Sequence, residues 1–415
     1  MMAPSGGGSG PAGAARVTRG GAWLVTLFTV AGLLEAALWG QMNAFVPLRL
    51  RELGVAPGGV ATWTGLSTLV ATAIGLGTLP LWGALADRHA RKPVIVRSFV
   101  AYALGCALGA ATGNLALFIA ARTLMSLAMG NSGLMMATIN ERVSPARAGL
   151  AFAIFNSAPP LGAFLGPVIG GPLVEAHGVD RLLAVDAAVM LVLTAALAGG
   201  YRDDFVARER RGVLVLALES VGILLRSPRL RRLFPTLFCL FGGWMLANLY
   251  IALVVGARFP TAHLPTRIGW VLAGGGVATV ALAPALGALG DRLGVWRVAI
   301  AVAAAEALAW PIPAFTHGIA GFLVAWALAN GLASAVFALA FAALAESAPD
   351  GARGRVMAFA YLPSTGGFAI ASLLGLAAPG AIVGAVFPAA AVLTALGGAG
   401  LAWSRWAPIV AAPPP

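Results

Sequence analysis

The sequence predicts an all-α integral membrane protein with twelve transmembrane helices in two pseudo-symmetric six-helix bundles. Three observations carry that prediction. The 415 residues are 60% hydrophobic and 10% charged, with a mean hydropathy of +0.89, whereas a soluble domain holds about 25% charged residues. Apolar runs near 20 residues recur along the whole length, long enough to cross a hydrocarbon core about 30 Å thick as helices. Finally, two unrelated polar features each reappear a little over 200 residues later.

The runs cover residues 22–46, 61–86, 94–112, 115–136, 149–174, 182–200, 233–255, 268–289, 298–315, 319–344, 356–376 and 381–403, numbered here as spans one to twelve. Residues 1–20 are rich in Gly, Ala, Ser and Pro and read as a disordered tail, with no cleavable signal peptide evident. The N-terminal bundle is expected over 21–200 and the C-terminal bundle over 233–405, followed by a short tail at 406–415. Between the bundles, 201–232 holds eight arginines, four acids and the stretch VLVLALESVGILL, which suits a linker with a helix lying at the membrane surface.

A net charge of +12 raises the question of nucleic acid, but its distribution argues against that partner. With the N-terminus inside, 21 of the 27 basic residues fall on the cytoplasmic side, five face outward and Arg122 lies within a span. That is the positive-inside bias of a multi-pass cell-membrane protein with both termini cytoplasmic, its basic loops facing anionic lipid. Cys106 and Cys239 sit in predicted spans without metal-ligand spacing and read as packing residues. There is no HExxH, GxSxG or GxxxxGK[ST] pattern and only four histidines, so neither an enzyme, a metal site nor an ATP-driven pump is expected.

The repeat is specific. GALADRHARK (83–92) after span two is echoed by GALGDRLGVWR (287–297) after span eight, which places Asp87 and Asp291 204 residues apart. Glu141 and Glu346, in two other similar segments, are 205 apart. A shared offset indicates a duplicated six-helix unit. Six plus six spans, a basic central loop and the first motif resemble the major facilitator superfamily over nearly the whole chain after residue 20. The loop signature of that family is matched at Gly83, Asp87, Arg88, Arg91 and Lys92, with Ala90 where glycine is usual. The second copy keeps Gly287, Asp291, Arg292 and Gly294 and dilutes its basic end.

The resemblance implies two bundles rocking about a midplane site. It further implies that these residues form a latch: Asp87 faces the start of span eleven near Arg353, Gly354 and Arg355. By the repeat, Asp291 faces the start of span five near Arg147 and Gly149. A carboxylate at a helix N-terminus meets partial positive charge, so both contacts would favour the state closed inward and open outward. Gly83 would let span two approach a neighbouring helix. Within span five, Gly162, Gly166, Pro167, Gly170 and Gly171 resemble the signature of proton-driven exporters in the superfamily, with Ala153 at its first glycine. Glycines four apart permit tight helix packing, and Pro167 removes a backbone bond and can bend the helix.

Two charges matter inside the membrane: Glu35 in span one and Arg122 in span four. A charge at the bilayer centre costs at least about 2.5–3.5 kcal/mol, so it is usually paired and functional. Counting from the predicted span ends at 1.5 Å per residue puts Glu35 about 18 Å and Arg122 about 12 Å below the outer surface, close enough to meet or share water. Helical spacing lines the expected cavity with Trp39 and Asn43 beside Glu35, Ser126 and Met129 beside Arg122, then Trp244 and Asn248 in span seven and Trp326 and Asn330 in span ten. Glu306 in span nine reads as peripheral or locally paired.

The functional expectation is a monomeric secondary transporter using the proton gradient and no cofactor. Glu35 and Arg122 would handle the proton during export of small amphipathic, drug-like compounds. The alternative is a symporter or facilitator for a polar metabolite such as a sugar or organic ion.

Overall fold

The computed structural model describes residues 11–88, 90–203, 225–348 and 353–408, and among them every regular element is helical. Span one is Pro11–Glu52, span two Val60–Arg88 and span three Arg91–Ala111. Span four comes in two pieces, Leu115–Ser126 and Asn131–Arg142. Spans five and six share the assignment Pro145–Gly200. Spans seven to twelve are Pro228–Arg258, Leu264–Leu293, Val295–Ala309, Ile319–Ser347, Arg353–Ala377 and Ile382–Arg405. Among the described residues ten helices are long and apolar enough to cross a membrane, one of them the 54-residue Arg147–Gly200. A straight helix of that length would run about 80 Å, far beyond one crossing. Gly178, at φ +85° and ψ 168°, breaks it into two, a backbone state that glycine reaches without a Cβ penalty.

Helix ends differ from the expected ones at several places, of which three matter for the site. Span one starts at Pro11, inside the expected tail, and runs on to Glu52, six residues past its predicted end. Span seven starts at Pro228 rather than 233, because the Ser227 hydroxyl accepts from the Leu230 amide and proline fits the first turn. Arg229, Arg231 and Arg232 therefore belong to that helix and not to the linker. Span four leaves the helix over 127–130, where Gly130 takes φ +95°. The linker stretch 213–224 lies outside the described residues.

Glycine contacts fix the packing of the first bundle. Gly162 lies against Leu33, Gly166 against Ala37, and Gly170 against Gln41 and Phe45. Both numbers rise together, so span five runs parallel to span one. A Cβ at Gly162 or Gly166 would collide with a span-one carbonyl, and one at Gly40 would sit 2.8 Å from the Ala163 oxygen. Such small-residue seams drive association in lipid, where apolar burial gives no preference for protein over acyl chains. Past Gly178 the chain turns back along span one: the Val179 amide donates to Glu52 and Trp23 Nε1 donates to the Gly200 oxygen, at 3.2 and 2.7 Å. The second bundle repeats the seam, with Gly366 against Phe238 and Gly367 against the Phe241 backbone. It also repeats an arginine cap. Arg49, in the last turn of span one, donates to the carbonyls of Gly109 and Thr112 at the end of span three, and Arg258, ending span seven, donates to those of Pro313 and Thr316 after span nine.

The starts of spans one and seven share a face with the ends of spans six and twelve, since Arg229 donates to the carbonyls of Arg405 and Ala407. We call this the terminal face and its opposite the far face. The bundles meet through spans five and eight and through spans two and eleven. Gly171 abuts the Pro265 carbonyl, Gly269 abuts that of Pro167, and Gly65 abuts Ser372 and Tyr250.

Candidate transport cavity and gates

Span one presents Glu35 half-buried toward span four, where the Asn131 amide donates to it at 3.1 Å. Arg122 is buried two helical turns nearer the far face. Its Nη2 donates to Thr68 of span two at 3.2 Å and to Asn43 of span one at 3.4 Å, while Nε and Nη1 have no partner among the described residues. Glu35 and Arg122, placed at depths where they could meet or share water, are thus not bonded to each other. The reason is the extra length of span one. Six more residues set Glu35 about 9 Å deeper than its predicted end implied, and the break in span four then brings Asn131 to its level.

The second bundle builds a neutral counterpart. Trp244 Nε1 and Asn248 Nδ2 both donate to Asn330 Oδ1, at 2.8 and 3.2 Å, and Asn330 Nδ2 reaches Thr279 of span eight at 3.4 Å. Trp39 and Asn43 recur 205 residues later as Trp244 and Asn248, and both asparagines donate to the tryptophan carbonyl one turn back at 3.0 Å. Other expected cavity residues are packed elsewhere. Trp326 is fully buried against Trp310, with ring centroids 5.9 Å apart. Ser126 is buried, and with Met129 it lies against Gly75 of span two. These three hold helices together in this conformation instead of lining open space.

Sequence reasoning missed Asn131 and Thr68, which stand among other small polar residues of their helices. It also treated Glu35 as the one deep acid. Asp186 in span six and Glu306 in span nine are buried as well. Glu306 accepts from Trp310 and Thr394, at 2.9 and 3.2 Å, and is locally paired. Asp186 interacts electrostatically with Tyr102 and Cys106 of span three.

The far face is closed by a polar cluster between the bundles. Glu175, at the end of span five, bonds His263 and accepts from Thr266 at the start of span eight. Glu175 thereby links the two bundles through side-chain hydrogen bonds at this face. Both partners hold the Glu175 carboxyl below the usual glutamate range, the Thr266 bond contributing most. At the terminal face, Arg91 pairs with Glu141 at 2.7 Å, and Lys92 binds Asp203 and Tyr201 within the same bundle. Asp291 and Arg292 are exposed, as are Arg147 and Gly149, and no atom lies within 4 Å of a Cβ added at Gly149. The expected contact of Asp291 with the start of span five is therefore not made, because the closure lies at the other face. The surroundings of Gly83, Asp87, Arg88 and Arg353–Arg355 lie outside the described side chains.

A family model described as Major Facilitator Superfamily matches residues 24–264, more than half of the chain. The chain belongs to the major facilitator superfamily. It is a secondary transporter, a multi-pass membrane protein with a small-molecule substrate, from a family that is not enzymatic. Relatives in the superfamily include a multidrug resistance protein MdtG of Rahnella sp. (strain Y9602), 27% identical over 300 residues, covering 69% of this chain and 70% of the relative. Another is MdtG of Enterobacter lignolyticus (strain SCF1), 28% identical over 282 residues, covering 67% and 66%. Among solved structures, the POT-family transporter PepTSo superposes with a TM-score of 0.71 at 16% identity, over 92% of this chain and 97% of that one. The nucleoside transporter NupG gives 0.71 at 12%, over 92% and 99%. A bacterial homologue of the lysosomal transporter Spinster, in an inward-facing and unoccupied conformation, gives 0.68 at 13%, over 96% and 95%. At these identities the solved structures speak to the fold alone.

Proposed function

We propose that this transporter exports small amphipathic cations in exchange for protons, as a monomer in the cell membrane with both termini cytoplasmic. The carrying observation is Glu35: a carboxylate deep in span one, bonded to a neutral amide and not neutralised by the nearby arginine. A protonatable group held that way can bind either a proton or a cationic substrate, and competition between them is the simplest form of antiport. The multidrug relatives and the glycine seam of span five support the direction of transport. In this orientation the Glu175 cluster is an outer gate, and the conformation is closed outward.

Asn248 and Asn330, with Trp244, favour a second reading, symport of a polar metabolite, since amides and an indole N–H recognise neutral polar groups. Inverted membrane vesicles separate the two. On imposing an inside-acid gradient, export predicts uptake of cationic dyes into the vesicles. Symport predicts no dye movement and proton-linked flux of a metabolite in the opposite sense.

A further inference from the structure

Spans seven and twelve enclose a second cavity, of about 500 Å³, on the outer surface of the C-terminal bundle at the terminal face. Its walls are Arg231, Arg232, Pro235, Thr236 and Cys239 from one helix and Leu396, Gly400 and Trp403 from the other. The two helices touch along its floor, since a Cβ at Gly400 would strike Thr236 and one at Gly397 would strike Leu240. The rim faces away from the bundle core, with Leu396 and Trp403 both more than half exposed.

The wall is graded in chemistry. Two guanidinium groups and the Trp403 indole stand at the end nearest the membrane surface, and the deeper part is the Cys239 thiol and Leu396. No acid lines it, and Arg232 joins no salt bridge among the described residues. It lies over the Trp403 ring at 4.2 Å, which orients the guanidinium without neutralising it. The adjacent Arg229 is already committed to the carbonyls of Arg405 and Ala407 and interacts with Glu346. A cationic transport substrate would be repelled here. Basic pockets between membrane helices at the cytoplasmic side match anionic lipid headgroups.

We propose that this groove binds one anionic glycerophospholipid, its phosphate between Arg231 and Arg232 and an acyl chain along Cys239 and Leu396. Two cations, Arg232 held over Trp403 and the exposed Arg231 beside it, select the charge of the headgroup, and the apolar floor selects a molecule that carries a chain. Assignment to the inner leaflet rests on the orientation proposed above, whereas the binding itself does not.

The test uses the full chain purified in detergent and stripped of lipid. It is titrated with phosphatidylglycerol and with phosphatidylcholine of the same acyl chains, and bound lipid is read by native mass spectrometry. One phosphatidylglycerol is expected to bind about tenfold or more tighter than phosphatidylcholine. R231Q/R232Q loses that preference, while R202Q, which removes an exposed charge at the same face outside the groove, retains it. A second readout needs no variant. Cys239 is half-buried in the groove and Cys106 is buried, so alkylation of Cys239 is expected to slow severalfold with phosphatidylglycerol and not with phosphatidylcholine. Equal affinity for the two lipids, a preference surviving R231Q/R232Q, or unslowed alkylation overturns the proposal. Protection of Cys239 by inorganic phosphate alone would overturn the lipid assignment.

Discussion

A carboxylate in mid-membrane is costly unless the transport cycle uses its charge, and Glu35 has a single amide to offset that cost. Glu35→Gln keeps the shape and the bond to Asn131 while removing the charge. Expected is the loss of pH-driven cation efflux in vesicles, with exchange of neutral compounds retained. A Gln variant that still drives cation efflux with unchanged pH dependence would place the proton elsewhere. Glu35 was legible because a lone acid in an apolar run stands out, and so was Arg122. Their partners were not. Asn131 comes into register only through the break at Gly130, and the depth of Glu35 depends on where span one ends, which an apolar window does not mark. The recurrence of Trp39 and Asn43 as Trp244 and Asn248 was readable from the same offset that revealed the motif repeat, but two residues are a weak signal without the bonds they make.

At the level of elements, the repeat and the apolar runs disclosed nearly all the helices, while hinge positions stayed hidden. Gly178 and Gly130 sit in sequences crowded with other glycines, and only the backbone shows which ones turn left-handed. The glycine row of span five was legible as a packing surface, though not its division of labour. Gly162, Gly166 and Gly170 face span one, whereas Gly171 faces span eight of the other bundle. One helix thus joins span one to the interface between the bundles. Gly166→Leu places a branched side chain where even a Cβ collides with the Ala37 carbonyl. The helices must separate, and loss of this kind of contact typically costs about 1–3 kcal/mol. The variant is expected to insert in the membrane, melt at lower temperature and transport at a small fraction of the normal rate. Full activity with leucine at this position would show that the seam is incidental to the cycle.

For the whole molecule, transport requires two closures of opposite sense, and the two are built differently. The far face is shut by Glu175 with His263 and Thr266, and the terminal face carries the duplicated acidic motif, at which Asp291 is disengaged in this conformation. Because the far-face cluster depresses the Glu175 carboxyl, its contribution to closure is present above the ordinary glutamate range and is lost as pH falls through the depressed value. Acidification to below the ordinary glutamate range, or Glu175→Gln at neutral pH, should open that face. Spin-label distances between the loops after spans five and seven would lengthen in both cases. Asp87 acts in the opposite direction if it faces a helix N-terminus when the terminal face closes. Such a contact is worth about 0.3–1 kcal/mol, so Asp87→Asn is expected to shift the population two- to fivefold toward the state observed here and to slow turnover. Each ligand-free conformation is stabilised by its own gate, so the two substitutions oppose one another in one equilibrium. The double variant E175Q/D87N should therefore lie closer to the unsubstituted distribution than either single variant. If D87N leaves the distance distribution and turnover unchanged, Asp87 is only part of a basic membrane anchor and the terminal face closes by other contacts.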